Sequence, residues 1–424
     1  MKDFFYNKIL RVNIALILVL TLLVAFSGCN LIENIIESSV SPSSEISTPK
    51  ATAPINNSDK TLYGFDNIKD ESVRILYGLI DENVNIEEKK VFSVDEELSY
   101  RQIYEGICAY KEDHPEVFWL RNSCTFLYNG TETYINLDYL SDFMDYETRV
   151  NAQSELEKKV NEIVSNAPIE ATQFELEQYV HDYIIDNCEY DYESANSKDD
   201  NVEDNTGNAY GVLIEGKAVC EGYSRAFQLI CKKLGLECVN IFGISENDNH
   251  MWNCIKIENE WYQIDVTWDD TEDEQKKYVQ YMFFNLDDEK MYMDHQVGEL
   301  YENISDEEFE NLTTNANLFV PKCTATEYNY HLYYGSVITD VEDSSHIVSA
   351  IAQAAKDNRD TFYLTADSSL DFDDVSSKLI EGGYLADWID SANFKNFYSP
   401  NLNVQTEVYT VSKYNLFILA LQYI

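Results

Sequence analysis

The stretch from Tyr210 to Asp270 constrains this chain more than any other, because it sets a helix start against two alternating segments. Tyr223, Ala226, Phe227, Ile230, Cys231 and Leu234 recur at three- and four-residue spacing and Gly235 stops the pattern, which predicts a helix with Cys220 at its N-terminus. Unsatisfied N–H groups and the positive end of the dipole there favour thiolate over thiol. A structural cysteine more naturally sits mid-helix on the apolar face, as Cys231 does. Gly222 leaves room for another backbone or a substrate, and Gly216 eases the turn into the helix.

Val239 to Phe242 reads as a short buried strand closed by Gly243. His250 to Ile257 then alternates, and Trp261 to Val266 alternates as its hairpin partner. His250, Trp252 and Cys254 share one face. With a two-residue turn at Glu258-Asn259, Asp265 falls opposite Trp252 and diagonal to His250. Diagonal Cβ atoms lie roughly 7 Å apart, within reach of an imidazole and a carboxylate. A one-residue slip would turn Asp265 to the other face. A thiol, an imidazole and a carboxylate therefore appear in order: Cys220 as nucleophile, His250 as its base and later the acid, and Asp265 fixing the His250 tautomer. Taken singly, each has a bland reading as an inert cysteine, a satisfied histidine and a solvated aspartate. Together they form a candidate catalytic set.

These blocks (AYGVL at 209–213, GKAVCEGYS at 216–224, HMWN at 250–253 and WYQIDVTWDD at 261–270) resemble the core of the transglutaminase-like superfamily. The resemblance covers about residues 174–295. It implies an α+β, papain-like core in which a nucleophile helix packs on an antiparallel sheet, with Cys220, His250 and Asp265 at the triad positions. It also implies a thioester on cysteine, with protein or peptide amide bonds as substrate and water or an amine as acceptor. Members include cross-linkers, peptidases, amidases and some that have lost activity, so a surface binding or adhesion protein on the same fold is the alternative. The oxyanion hole would use the Cys220 N–H and a second donor. Tyr210 and Trp252 are candidate oxyanion or supporting residues of the site. Trp252 and Trp268 either wall a substrate channel or belong to the core, one of them being assigned to the core. No calcium-loop or zinc spacing is present, so no metal and no cofactor is expected.

The rest of the 424 residues frames this core. Lys2, Lys8 and Arg11 precede an apolar run from Ile14 to Phe26, too short for an ordinary spanning helix, and Ser27-Gly28-Cys29 follows. This resembles a bacterial lipoprotein signal. It implies a signal peptide over 1–28, lipidation of Cys29, and an exported protein held on the outer face of the cytoplasmic membrane. Residues 29–61 read as a Ser/Pro/Thr-rich tether. An N-terminal α+β region is expected over 62–166, the catalytic domain over 167–300 and a C-terminal α+β module over 301–424.

Within the N-terminal region, helices are expected from Ser99 to Tyr110 and Tyr146 to Val164. Strands are expected at Val117 to Leu120 and Thr133 to Tyr139. A helix follows from Phe174 to Cys188, where His181 reads as a core or half-exposed residue, then a surface loop from Glu193 to Asn208. Tyr278 to Leu286 reads as a further strand of the central sheet, and His295 as structural. In the C-terminal module a strand is expected over Tyr328 to Val337, helices over His346 to Asp357 and Phe372 to Gly382, and strands over Thr361 to Thr365 and Val404 to Tyr423. This module carries no chemical cluster and is assigned a binding or packing role, its partner unknown.

Lys and Arg number 30 against 76 Asp and Glu, a formal charge of −46, which repels phosphates and argues against nucleic acid. Of nine cysteines, setting Cys29 and Cys220 aside leaves an odd seven, without a dense framework. Most are expected as small buried residues, with one bridge such as Cys108 to Cys124 left open.

Overall fold

The computed structural model describes residues 61–87, 91–196, 205–270, 280–310, 315–395, 401–403 and 406–424. The signal-like segment, Cys29 and nearly all of the tether lie outside the described residues. No helix among those described is long and apolar enough to cross a membrane.

After a short helical segment, Tyr63–Asn67, the N-terminal region has helix α1 (Glu71–Asn83) and strand β1 (Phe92–Val94). Helix α2 (Tyr100–Asp113) follows, and Ser99 and Gln102 close a reciprocal capping box at its start. Strands β2 (Leu120–Tyr128) and β3 (Thr133–Tyr139) pair antiparallel, and β1 flanks β3. The apolar run 117–119 is a buried turn rather than a strand, with pairing beginning only at Leu120. Pro115 lies just upstream, and the aromatic side chains pack as anchors: Phe118 stacks on Tyr210 with centroids 4.8 Å apart. Helix α3 (Tyr146–Ser165) closes the region.

Helix α4 (Gln173–Asn187), capped by Thr172 and Glu175, leads to β4 (Glu189–Tyr190), which pairs parallel with β5 (Lys217–Ala218). Helix α5 (Cys220–Leu234) starts there and ends at Gly235, whose φ of 84° is open to a residue without a Cβ. Its apolar face lies on an antiparallel sheet of β6 (Glu237–Ser245), β7 (Asp248–Ile257), β8 (Glu260–Ile264) and β9 (His295–Val297), in the order β8-β7-β6-β9. This is the α+β, papain-like arrangement, with the helix that starts at Cys220 packed on an antiparallel sheet.

The Glu258-Asn259 turn has φ of 49° and 72°, the paired left-handed conformation whose twist suits a two-residue hairpin. It pairs Ile257 with Glu260 and Asn253 with Ile264. The expected fourth strand differs. Of the aromatic segment, residues 280–284 form turns, and Leu286 makes a single bridge to Gln263. The sheet is completed instead by β9, on the far side of β6. The aromatic segment places backbone groups against the end of β8: Asp265 N–H donates to Phe283 O at 3.1 Å.

One apolar core runs from Ile68 through the N-terminal helices into α5 and the sheet. Glu112 on α2 fastens the two parts, its carboxylate accepting from Asn240 N (2.9 Å), Asn240 Nδ2 (2.9 Å) and Gln228 Nε2 (2.8 Å). The C-terminal chain has a core of its own over Ile338 to Leu421. There β10 (Gly335–Ile338), β11 (Thr361–Ala366), β12 (Glu407–Val411) and β13 (Leu416–Ala420) form a mixed sheet. It is covered by α6 (Ser345–Lys356), α7 (Phe372–Ile380) and α8 (Tyr384–Lys395), the last not anticipated from the sequence. Tyr330–Tyr333 is a helical turn ahead of β10 rather than part of a strand.

The eight described cysteines are unbonded, Cys108 and Cys124 included. Cys108 sits in a small cluster with Tyr301 and Ile304, and Cys124 is half-buried on β2.

Candidate active site

Cys220 is the first residue of α5 and is partly exposed at the helix mouth. The residue before it, Val219, offers no capping side chain, so the first-turn N–H groups are not engaged by a capping oxygen. Residues 205–208 pack against this helix start: Thr206 O accepts from Val219 N–H at 2.9 Å, and Asn205 and Asn208 are buried. A Cβ on Gly222 would stand 2.3 Å from Thr206 O and 2.8 Å from the Ala218 Cβ, so only glycine lets this segment come so close. That end of the expected surface loop is therefore part of the site's wall; residues 197–204 lie outside the described residues.

His250 Nε2 lies 2.6 Å from Asp265 Oδ2, and the Cys220 sulfur is close enough to the same imidazole to help raise its pKa. With Nε2 taken by the carboxylate, Nδ1 is the nitrogen left for sulfur. The pairing of Asn253 with Ile264 continues to set Trp252 opposite Asp265, and His250 is the diagonal neighbour. β8 ends at Ile264, and Asp265 caps the one-turn helix Val266–Asp269 that follows. Its Oδ1 accepts from Thr267 N at 3.0 Å and Trp268 N at 3.2 Å, which fixes the carboxylate while Oδ2 faces the histidine. The local pattern Asp-Val-Thr-Trp thus orients the acid through its own backbone.

Burial opposes charge on the His250 ring, yet the Asp265 carboxylate and the Cys220 sulfur outweigh it and carry the imidazole up to about 10. Burial likewise works against the ionised Asp265, but His250 and a second histidine, His295, hold its carboxyl well below the usual range. The two shifts have one cause, an ion pair between a buried carboxylate and an imidazolium.

The polar ends of Tyr210 and Trp252 are both engaged by other side chains. The Tyr210 hydroxyl donates to Glu155 Oε2 at 2.8 Å and its ring stacks on Phe118, so its polar end is engaged with α3. Trp252 is fully buried and its indole N–H donates to Gln263 Oε1 at 2.8 Å. Neither side chain has a donor left for an oxyanion. Trp252 instead backs the imidazole, its ring 6.0 Å from that of His250 and nearly parallel to it. Trp268 is half-buried, 6.1 Å from His250 and 4.9 Å from His295 by ring centroids.

Two further elements were not anticipated. His295 Nε2 lies 3.0 Å from Asp265 Oδ2, the oxygen that His250 also engages. It comes from β9, 30 positions beyond Asp265 in the chain, and no local pattern announces it. His181, on α4, lies 3.2 Å from Asp269 Oδ2, with both side chains fully buried behind Asp265. Burial, partly offset by His181, pushes the Asp269 carboxyl up to about 7.

The ligand atoms of His250, Asp265 and His295 lie within 4.8 Å of one another, the spacing a metal would need. In this structure those same atoms are occupied by hydrogen bonds to each other, two ring nitrogens on one carboxylate oxygen, which is an arrangement that carries protons.

Residues 158–266 match the model of the transglutaminase-like superfamily, and the chain therefore carries a transglutaminase-like domain. Among characterised proteins it is similar to kyphoscoliosis peptidase of Homo sapiens, 27% identical over 135 residues that make up 29% of this chain and 19% of that protein. Kyphoscoliosis peptidase of Mus musculus is 28% identical over 130 residues, again 19% of its length. The chain thus spans about a fifth of the length of these relatives. A solved structure described as a TGase covers 44% of this chain and 53% of its own, at 17% identity and a TM-score of 0.27.

Proposed function

We propose that this protein is a thiol enzyme that cleaves or transfers amide bonds of proteins or peptides through a thioester on Cys220. The observation that carries the reading is the 2.6 Å contact of His250 with Asp265, on an imidazole that the sulfur of Cys220, at a helix N-terminus, also influences. Sulfur in its thiolate form attacks the acyl carbon, and the oxyanion that develops is met by the Cys220 N–H and neighbouring first-turn amides. The tetrahedral adduct collapses as the His250 imidazolium gives its proton to the departing amine, leaving the acyl group on sulfur. His250, now neutral, takes a proton from the incoming water or amine, and the thiolate leaves when the acyl product forms. Asp265 keeps Nε2 protonated throughout.

Peptidase-named relatives favour a protein or peptide substrate. The signal-like segment and Cys29 further support an exported protein, tethered by lipid to the outer face of the cytoplasmic membrane.

Purified protein is treated with iodoacetamide across a pH range, with Cys220→Ala as control. Cys220 is expected to alkylate faster than a model thiol at the same pH; a rate no greater than that of the model thiol overturns the reading. Labelled-amine incorporation run beside peptide hydrolysis then separates acyl transfer from cleavage. Anchoring is tested by fatty-acid labelling in the native host, which Cys29→Ser is expected to abolish.

A further inference from the structure

His295 is a second imidazole on the acid of the candidate triad. Its Nε2 stands 3.0 Å from Asp265 Oδ2, while His250 Nε2 stands 2.6 Å from the same atom. The ring is fully buried among Trp252 (4.9 Å), Trp268 (4.9 Å), Phe283 (5.7 Å) and His250 (5.4 Å). Its other nitrogen, Nδ1, is buried with no hydrogen-bond partner. A ring that donates from Nε2 and carries Nδ1 as a bare acceptor fits this environment. Asp265 does not need His295 to hold its orientation, because Thr267 and Trp268 amides fix Oδ1.

Resting on the reading of Cys220, His250 and Asp265 as a catalytic set, we propose that His295 is a positioning residue for that set. It shares Oδ2 with His250 and so weakens the hold of the carboxylate on the His250 Nε2–H. One acceptor serving two N–H donors gives each a smaller share of its charge. With less negative charge set against its Nε2–H, the imidazolium gives up the proton on its other nitrogen, the one that must pass to the leaving group, more readily than it would opposite a lone Asp265. The other groups facing this pair are the Cys220 thiol from α5, the Tyr190 phenol from β4, and Asp269, itself engaged with His181 from α4. His295 is fixed in turn by β9, where it pairs with Ser245. Ser245 Oγ donates to Asp294 O at 3.2 Å, and the Asp294 carboxylate takes Lys413 and Tyr414 from the turn ahead of β13. The C-terminal module thus reaches the site through the residue next to His295.

The test uses side-chain reach. His295→Gln places an amide N–H where Nε2 stood, His295→Asn is too short to deliver one there, and His295→Phe keeps the ring without a donor. In full-length chain carrying Cys220→Ala, which removes the sulfur's own influence, the His250 ring is titrated by NMR. The midpoint is expected to rise by about half a unit or more in the Asn and Phe variants and to stay close to the parent in the Gln variant. An unmoved midpoint, a fall, or equal shifts in all three overturns the proposal, and the Gln–Asn comparison serves alone if the Phe variant does not fold. With Cys220 present, the alkaline limb of the alkylation profile is expected to move the same way. An unreactive Cys220 in the parent would sink the proposed function while leaving the NMR result to decide the role of His295.

Discussion

His250 and Asp265 meet at 2.6 Å because a two-residue hairpin turn makes them diagonal neighbours. Asp265→Asn preserves shape but removes the charge that steadies the imidazolium, and it allows the wrong His250 tautomer. Amide turnover or, failing a known substrate, Cys220 alkylation at pH 7 is expected to fall by about a thousandfold or more. Stopped-time alkylation followed by mass spectrometry measures it, and a loss under tenfold would detach the aspartate from the chemistry.

Gly222 is the point where residues 205–208 lie against helix α5. Gly222→Ala drives a methyl group into Thr206 O and the Ala218 Cβ, so the loop must lift. The expected cost is about 1–3 kcal/mol in urea unfolding, with slower Cys220 alkylation because the wall beside the sulfur has moved. Unchanged values in both measurements would mean the segment yields freely.

Glu177 is fully buried on α4, accepting from Asn285 Nδ2 at 2.8 Å while its Oε1 has no partner. Burial, opposed by Asn285 and His181, raises its carboxyl to about 8. The folded chain therefore keeps a proton that the unfolded chain gives up, so stability falls as pH climbs from about 4.5 towards 8. Glu177→Gln removes that dependence. Its stability relative to the parent is expected to improve by roughly 1–3 kcal/mol between pH 5 and pH 8. Thermal unfolding at the two pH values checks the sign, and a gap independent of pH would show that Glu177 is already ionised when folded.

Trp252 links the site to the core through its indole N–H on Gln263. Trp252→Phe leaves Gln263 Oε1 buried without that donor and thins the surface behind His250. We expect a loss of about 1–3 kcal/mol in denaturant unfolding. A variant as stable as the parent would mean that Gln263 finds another donor.

Much of this arrangement was determined by the order of residues along the chain. Helix spacing and Gly235 set α5 with Cys220 at its mouth. Glu258-Asn259 set a hairpin register that leaves no freedom over which face Asp265 takes, because side chains alternate with a period of two. Those are local constraints, and a sequence carries local constraints openly. Tertiary structure alone decided the rest. The apolar run 117–119 became a buried turn and the segment at 280–284 a series of turns, since hydrophobic content specifies burial without specifying an extended backbone. Tyr210 was drawn to Glu155, a partner on another element whose distance in sequence gives no hint of contact. His295 reached Asp265 only because β9 pairs with β6 across the sheet, a long-range choice made by packing.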